Sequence, residues 1–104
     1  MKVAIYIREK DSHVEEIKRT LELKVRSFGW DIVRIYVDEN ANGVTLNREG
    51  LKQMFSDAEK SMFEFIVVTG IEKLSRKMLD LKSIGYFLSK HHIHVIELGG
   101  KVGK

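Results

Sequence analysis

Lys2 to Ser12 reads KVAIYIREKDS, and the fold turns on how its apolar run ends. Val3, Ala4, Ile5, Tyr6 and Ile7 are almost continuously hydrophobic, the pattern of a strand buried on both faces of a sheet. Arg8 then opens a polar loop. In an open α/β sheet, ligands bind beyond the carboxyl ends of the central strands, so residues 8 to 12 stand where chemistry is expected.

Outward from that loop, Ser12 and Glu15 form an S-x-x-E capping box, which predicts a helix from about Ser12 to Phe28. Val14, Ile17, Leu21, Val25 and Phe28 give it one apolar stripe, and Gly29 ends it. Asp31 to Val37 predicts a second strand. Asp38 to Leu46, DENANGVTL, reads as an exposed loop. Asn47 is placed to cap a second helix with Leu51, Met54, Phe55 and Ala58 inward. Phe63 to Thr69 is the third strand. Ser75 is expected to cap a third helix lined by Met78, Leu81, Gly85 and Leu88, with Gly85 as a close-packing point against the sheet. Ile93 to Leu98 is the fourth strand, and GGKVGK a flexible tail.

Strands alternating with helices argue for parallel pairing through right-handed crossovers. Arg34 and His94 suit edge strands, whereas the strands beginning at Val3 and Phe63 are the most apolar. The expectation is a three-layer α/β/α fold whose four-stranded, mainly parallel sheet has the order 2-1-3-4, the first helix on one face and the other two opposite. Arg8 and the Gly70 to Arg76 loop should then meet at the switch point between strands 1 and 3.

The 104 residues suffice for one core, and 43% hydrophobic with 32% charged residues argues against disorder. No run is long enough for a spanning helix or a signal peptide, so a cytoplasmic location with no membrane partner is expected. The absence of cysteine excludes disulfides and thiolate metal sites. A formal charge of +3 says little about nucleic acid, so the placement of charges matters more.

Arg8, Lys10, Lys73, Arg76 and Lys77 all follow the two central strands, and Arg48 follows the loop after strand 2. Such cations repel one another unless an anion binds among them. Phosphate fits, because arginine grips it bidentately and a helix start adds a favourable dipole. The alternative is a set of unrelated solvated charges. His91, His92 and His94 lack a third ligand at a diagnostic spacing, so no metal and no other cofactor is expected, and they read as polar residues on an edge and turn. Phe28 and Trp30 read as core closure.

These residues also resemble a family. Tyr6-Ile7-Arg8, Gly29-Trp30, Tyr36-Val37-Asp38-Glu39, the G-x-x-x-N-R-x-G-L run from Gly43 to Leu51, and Ile71 to Arg76 (IEKLSR) occur in the order found in serine recombinases. The similarity is to the catalytic domain of the resolvase/invertase family and covers Lys2 to about Leu98. It implies a resolvase-like N-terminal catalytic domain over residues 1–104, without the family's long dimer helix or its DNA-binding domain. It also implies a place in DNA recombination, on mobile elements. Members attach a serine covalently to the DNA backbone phosphate, with arginines stabilising the phosphoryl transition state.

Carried over residue by residue, Arg8 matches the arginine after Tyr6, and Arg48 that of the family's N-R-P-G-L, with Glu49 in place of proline. Arg76 is retained from L-D-R-L-S-R, Glu72 keeps the carboxylate, and Lys73 keeps only the charge of an arginine. Asp38 matches the aspartate ending strand 2, and Tyr6 and Asp38 are expected, with Lys10, on the substrate-binding side. Glu72 is either a transition-state participant or an ion-pair partner of Lys73 or Arg76.

The opening loop departs from the pattern. The family reads Y-x-R-V-S, and this chain has Lys10 where the nucleophile belongs. The following segment is also shorter than usual by about one helical turn. Ser12 reads first as the helix cap and second as a substitute nucleophile, and Lys10 as one more phosphate contact. The resulting expectation is a phosphate-binding recombinase domain in which strand cleavage is lost. Its partners would be DNA and a second copy, or an active recombinase. The competing reading is a non-enzymatic interaction module on the same fold. A flavodoxin-like nucleotide binder is weaker, since no Gly-rich loop follows the first strand.

Overall fold

Why Lys2 to Glu9 becomes the central strand is visible in its burial, which runs unbroken from Val3 to Arg8. In the computed structural model, which describes residues 1–99, the elements are β1 (Lys2–Glu9), α1 (Asp11–Ser27), β2 (Asp31–Glu39), α2 (Glu49–Glu59), β3 (Phe65–Val68), a short 3-10 turn (Ile71–Lys73), α3 (Met78–Lys90) and β4 (His94–Glu97). All strand pairs are parallel, in the order β2-β1-β3-β4. The expected three-layer α/β fold and strand order therefore hold.

Alternation along β1 divides the core between the two faces. Val3, Ile5 and Ile7 pack with Val67, Leu21 and Val25 beneath α1. Ala4 and Tyr6 pack with Tyr36, Ile66, Leu51, Met54, Ala58, Ile84 and Leu88 beneath α2 and α3. One helix below and two above is what right-handed crossovers require, because the chain reverses direction across the sheet between β2 and β3. Arg8, two residues beyond Tyr6, continues the α2/α3 face and lies in register with Asp38 of β2. Gly29, at φ +79, supplies the left-handed residue that closes α1.

Several local expectations are corrected. Helix α1 starts two residues earlier than the capping box requires, so Lys10 rather than Ser12 is the cap residue and no side chain caps from that position. Ser12 lies exposed in the first turn. The Asp11 N–H donates instead to Asn40 Oδ1 at 2.9 Å. Asn47 does not cap α2 either, since Arg48 holds that position. Asp38 is not in an exposed loop: it is buried at the end of β2, and its carboxylate accepts the N–H groups of Gly50 (2.7 Å) and Leu51 (3.0 Å). Both helix starts are thus capped from other segments, which no local spacing encodes.

Ser75 is fully buried, and its hydroxyl accepts the Lys77 N–H at 3.0 Å rather than sitting at the helix cap. In α3 the buried positions are Ile84 and Leu88, while Met78 is 66% exposed. Gly85 faces open space, with nothing within 4 Å of an added Cβ, so it is not a packing point. Phe28 is 52% exposed and rests on Trp30, with ring centroids 4.8 Å apart, rather than closing the core. β3 and β4 are shorter than the sequence suggests, at Phe65–Val68 and His94–Glu97. The expected tail falls outside the described residues apart from Gly99. Among the described residues, no helix is long and apolar enough to cross a membrane, and no group of three or more His, Asp or Glu is placed to hold a metal ion.

Candidate functional site

Beyond the carboxyl ends of β1 and β2 lies an open crevice of about 460 Å³. Arg8, Lys10, Lys73 and Arg76 line it together with Glu9, His13, Asn40 and Ala41. Four cationic side chains therefore face one carboxylate, and Glu9 is already taken by Lys73 Nζ at 3.0 Å. The remaining positive charge makes an anion the natural occupant.

Arg8 is delivered by β1 and is only 6% exposed. Its Nε donates to the carbonyl of Lys73 (2.9 Å), Nη2 to that of Glu72 (2.7 Å) and Nη1 to that of Ala41 (3.3 Å). Three backbone carbonyls from two loops fix the plane of the guanidinium. Of its five N–H groups, two remain for a ligand. Burial, followed by the nearby charges of Arg48 and Arg76, lowers the Arg8 pKa from its ordinary value. The group stays charged all the same.

Arg48 stands behind the crevice rather than in it. Its Nε donates to Thr45 (2.9 Å) and its Nη1 to both the Tyr6 hydroxyl (2.8 Å) and the Lys73 carbonyl (2.9 Å), while Nη2 donates to the Leu74 carbonyl. The Tyr6 hydroxyl in turn donates to Asp38 Oδ2 at 2.7 Å. Burial and that hydrogen bond push the Tyr6 phenol well above its usual pKa, against the opposing charge of Arg48. Asp38 thus receives a phenol and two helix N–H groups, and Arg48, Tyr6 and Asp38 form one buried relay that ties the 3-10 turn to the start of α2.

Other residues singled out in the sequence fall in different places. Lys10 lies on the crevice wall, at the start of α1. Ser12 is not among the lining residues, and neither is Lys77. Glu72 contributes its carbonyl to Arg8, whereas its carboxylate folds back over Gly70, 2.5 Å from where a Cβ would sit. Lys73 finds its ion pair in Glu9, not in Glu72. Arg76 is exposed, with its backbone N–H held by the Gly43 carbonyl at 2.9 Å.

Sequence reasoning missed His13, Asn40 and Glu9. His13 could have been found as the residue one turn after Lys10 on the same helix face. Asn40 carries no such signal: it adopts φ +55, donates its N–H to the Glu9 carbonyl at 2.8 Å and accepts from Asp11. Asparagine is among the few side chains that tolerate this backbone region.

Comparison with known proteins bears on the family and the fold. The Bacillus subtilis (strain 168) protein named "Putative DNA recombinase" is 28% identical over 103 residues, which cover 95% of this chain. The chain spans 21% of that relative's length. The crystal structure of the N-terminal catalytic domain of TP901-1 integrase superposes with a TM-score of 0.83 at 29% identity, over 94% of this chain and 77% of that one. The C-terminal catalytic domain of ISC1926 TnpA, an IS607-like serine recombinase, shares the fold, with a TM-score of 0.82 at 21% identity over 93% of this chain and 69% of that one. The family described as "Resolvase, N terminal domain" matches residues 3–102, and with nearly the whole sequence so covered, the chain belongs to the resolvase N-terminal domain family.

Proposed function

We propose that this resolvase-type domain binds DNA backbone phosphate in the crevice and does not cut the strand. The observation that carries the reading is the occupant of the wall beside Arg8: Lys10, a cation, stands where the resemblance places a serine. Arg8, Lys73 and Arg76 supply the rest of the phosphate contacts, and Arg48, Tyr6 and Asp38 hold the wall behind them. Ser12 points from the first turn of α1 outside the lining set, which leaves the crevice without a hydroxyl nucleophile. In DNA recombination such a domain would act beside a second copy or an active recombinase.

A supercoiled-plasmid nicking assay with a search for a covalent protein-DNA adduct tests the loss of cleavage. Neither product is expected, and an adduct abolished by Ser12→Ala overturns the claim. Binding is tested separately by affinity against salt. The exposed Arg76→Ala and the crevice variant Arg8→Ala should both weaken binding and flatten the salt dependence. If both bind as the parent does, with an unchanged slope, the phosphate site fails.

One observation favours a second reading, an interaction module that works through protein contacts. Met78, Leu79 and Tyr86 of α3 are 66%, 77% and 70% exposed, and large apolar side chains so displayed suit a protein partner. Loss of recombinase pairing in a Leu79→Ser, Tyr86→Ser variant that still binds DNA would support it.

A further inference from the structure

We infer that His13 is a phosphate-binding residue of the crevice, and that it makes DNA affinity rise as pH falls. The inference rests on the reading above that the crevice takes DNA phosphate, and it assigns a role to a residue outside the family-like motifs. His13 reaches the crevice from the first turn of α1, one turn beyond Lys10, and its backbone N–H donates to the Lys10 carbonyl at 2.8 Å. Among the described residues its imidazole has no hydrogen-bond or ion-pair partner, so both ring nitrogens are open to a ligand.

Several charged groups share the crevice with the ring. From β1 and the cap come Arg8, Glu9 and Lys10, and from the turn and the loop after it come Lys73 and Arg76. Asn40 and Ala41 contribute no charge, and on its own helix Glu16 lies one turn further on. Glu9, the one carboxylate of the crevice wall, is engaged by Lys73. A bound phosphodiester, its charge placed among these cations, favours an imidazolium donating to a phosphate oxygen. An imidazole is the side chain that changes charge between pH 5 and 8. Binding and protonation then promote each other: phosphate takes up a proton at His13, and protonated His13 holds phosphate more tightly.

The experiment is affinity for a short DNA duplex between pH 5 and 8 at fixed salt, for the parent chain and His13→Gln. His13 is exposed in the first helical turn, so the substitution leaves the core intact. The parent should gain on the order of tenfold in affinity toward the acid end, and His13→Gln should bind with a nearly flat profile. In the parent, the NMR titration midpoint of the His13 ring should rise when DNA is added. Superimposable pH profiles for the two proteins, or a His13 midpoint that DNA leaves unmoved, overturn the role of His13 while leaving the phosphate site standing. Absence of DNA binding by both proteins at every pH overturns the phosphate site and His13 with it.

Discussion

Arg8 and Arg48 donate to the same oxygen, the Lys73 carbonyl, each from 2.9 Å. Two guanidinium groups repel at such range, yet both are nearly buried. What holds them is an array of carbonyls, from Ala41, Thr45, Glu72, Lys73 and Leu74, offering partial negative charge without a carboxylate. No carboxylate bonds directly to either guanidinium; Asp38 is reached from Arg48 through the Tyr6 hydroxyl, and the Glu9 charge acts on Arg8. Arg48 acts as the strut, and Arg8 both braces the turn and lines the crevice.

The strut role predicts the behaviour of Arg48→Lys. An ammonium keeps the charge but cannot address Thr45, Tyr6, Lys73 and Leu74 from one plane. Several buried acceptors lose their donor, so urea unfolding should show a loss on the order of 2 kcal/mol. Stability unchanged to within a few tenths of that figure would remove the strut from the account.

Gly43 is set by the same pair of loops. A Cβ there would lie 2.7 Å from Arg8 Nη2, 2.8 Å from its Cζ and 2.9 Å from Arg76 Cγ. The Arg76 side chain is exposed and can yield, but Arg8 is fixed by three carbonyls. Gly43→Ala should therefore displace Arg8, lowering stability by about 1–3 kcal/mol and reducing DNA affinity. A crystal structure of the variant with Arg8 unmoved and affinity intact would contradict this.

How much of this was legible in the chain depends on how local each signal is. The sheet order could be read because Arg34 and His94 mark the edges and the β1 run is apolar throughout. The meeting of Arg8 with Glu72 and Lys73 followed from topology alone. Asp38 as a cap for α2 and Asn40 as a partner for α1 were not legible, because each acts across an interval of the chain that no spacing rule links. Ser12 misled for the complementary reason: its capping-box pattern is genuine in sequence, but a partner from another loop reaches the helix start first. Arg48 was read as facing a ligand from its place after the strand-2 loop as well as from its motif, whereas its hydrogen bonds face inward.

Tyr6 and Tyr36 predict an alkaline limit to stability. Burial comes first in raising both phenols above their usual range, reinforced by hydrogen bonds to Asp38 and Asp57. The unfolded chain releases these protons near pH 10, about the usual phenol value, while the folded chain retains them. Their contribution is thus complete below about pH 10 and declines as pH rises, by up to about 1.4 kcal/mol per pH unit for each phenol. Urea unfolding on either side of that pH measures the slope. Tyr36→Phe should roughly halve it, and a parent whose stability is flat across the interval would contradict the assignment.

Lys10 sets stability against binding at a single position. As the cap residue of α1 it has extended backbone, φ −65 and ψ 147, and makes no side-chain cap bond. Its charge also opposes the positive end of the helix dipole. Serine accepts the same backbone geometry and offers an oxygen to the first-turn N–H groups, so Lys10→Ser should gain on the order of 1 kcal/mol in urea unfolding. The same change removes one cation from the crevice. Plotted as log affinity against log salt, DNA binding should weaken and its slope shrink by about one unit. Were Lys10→Ser more stable and equally tight in binding, with the parent's salt slope, Lys10 would have no part in holding phosphate.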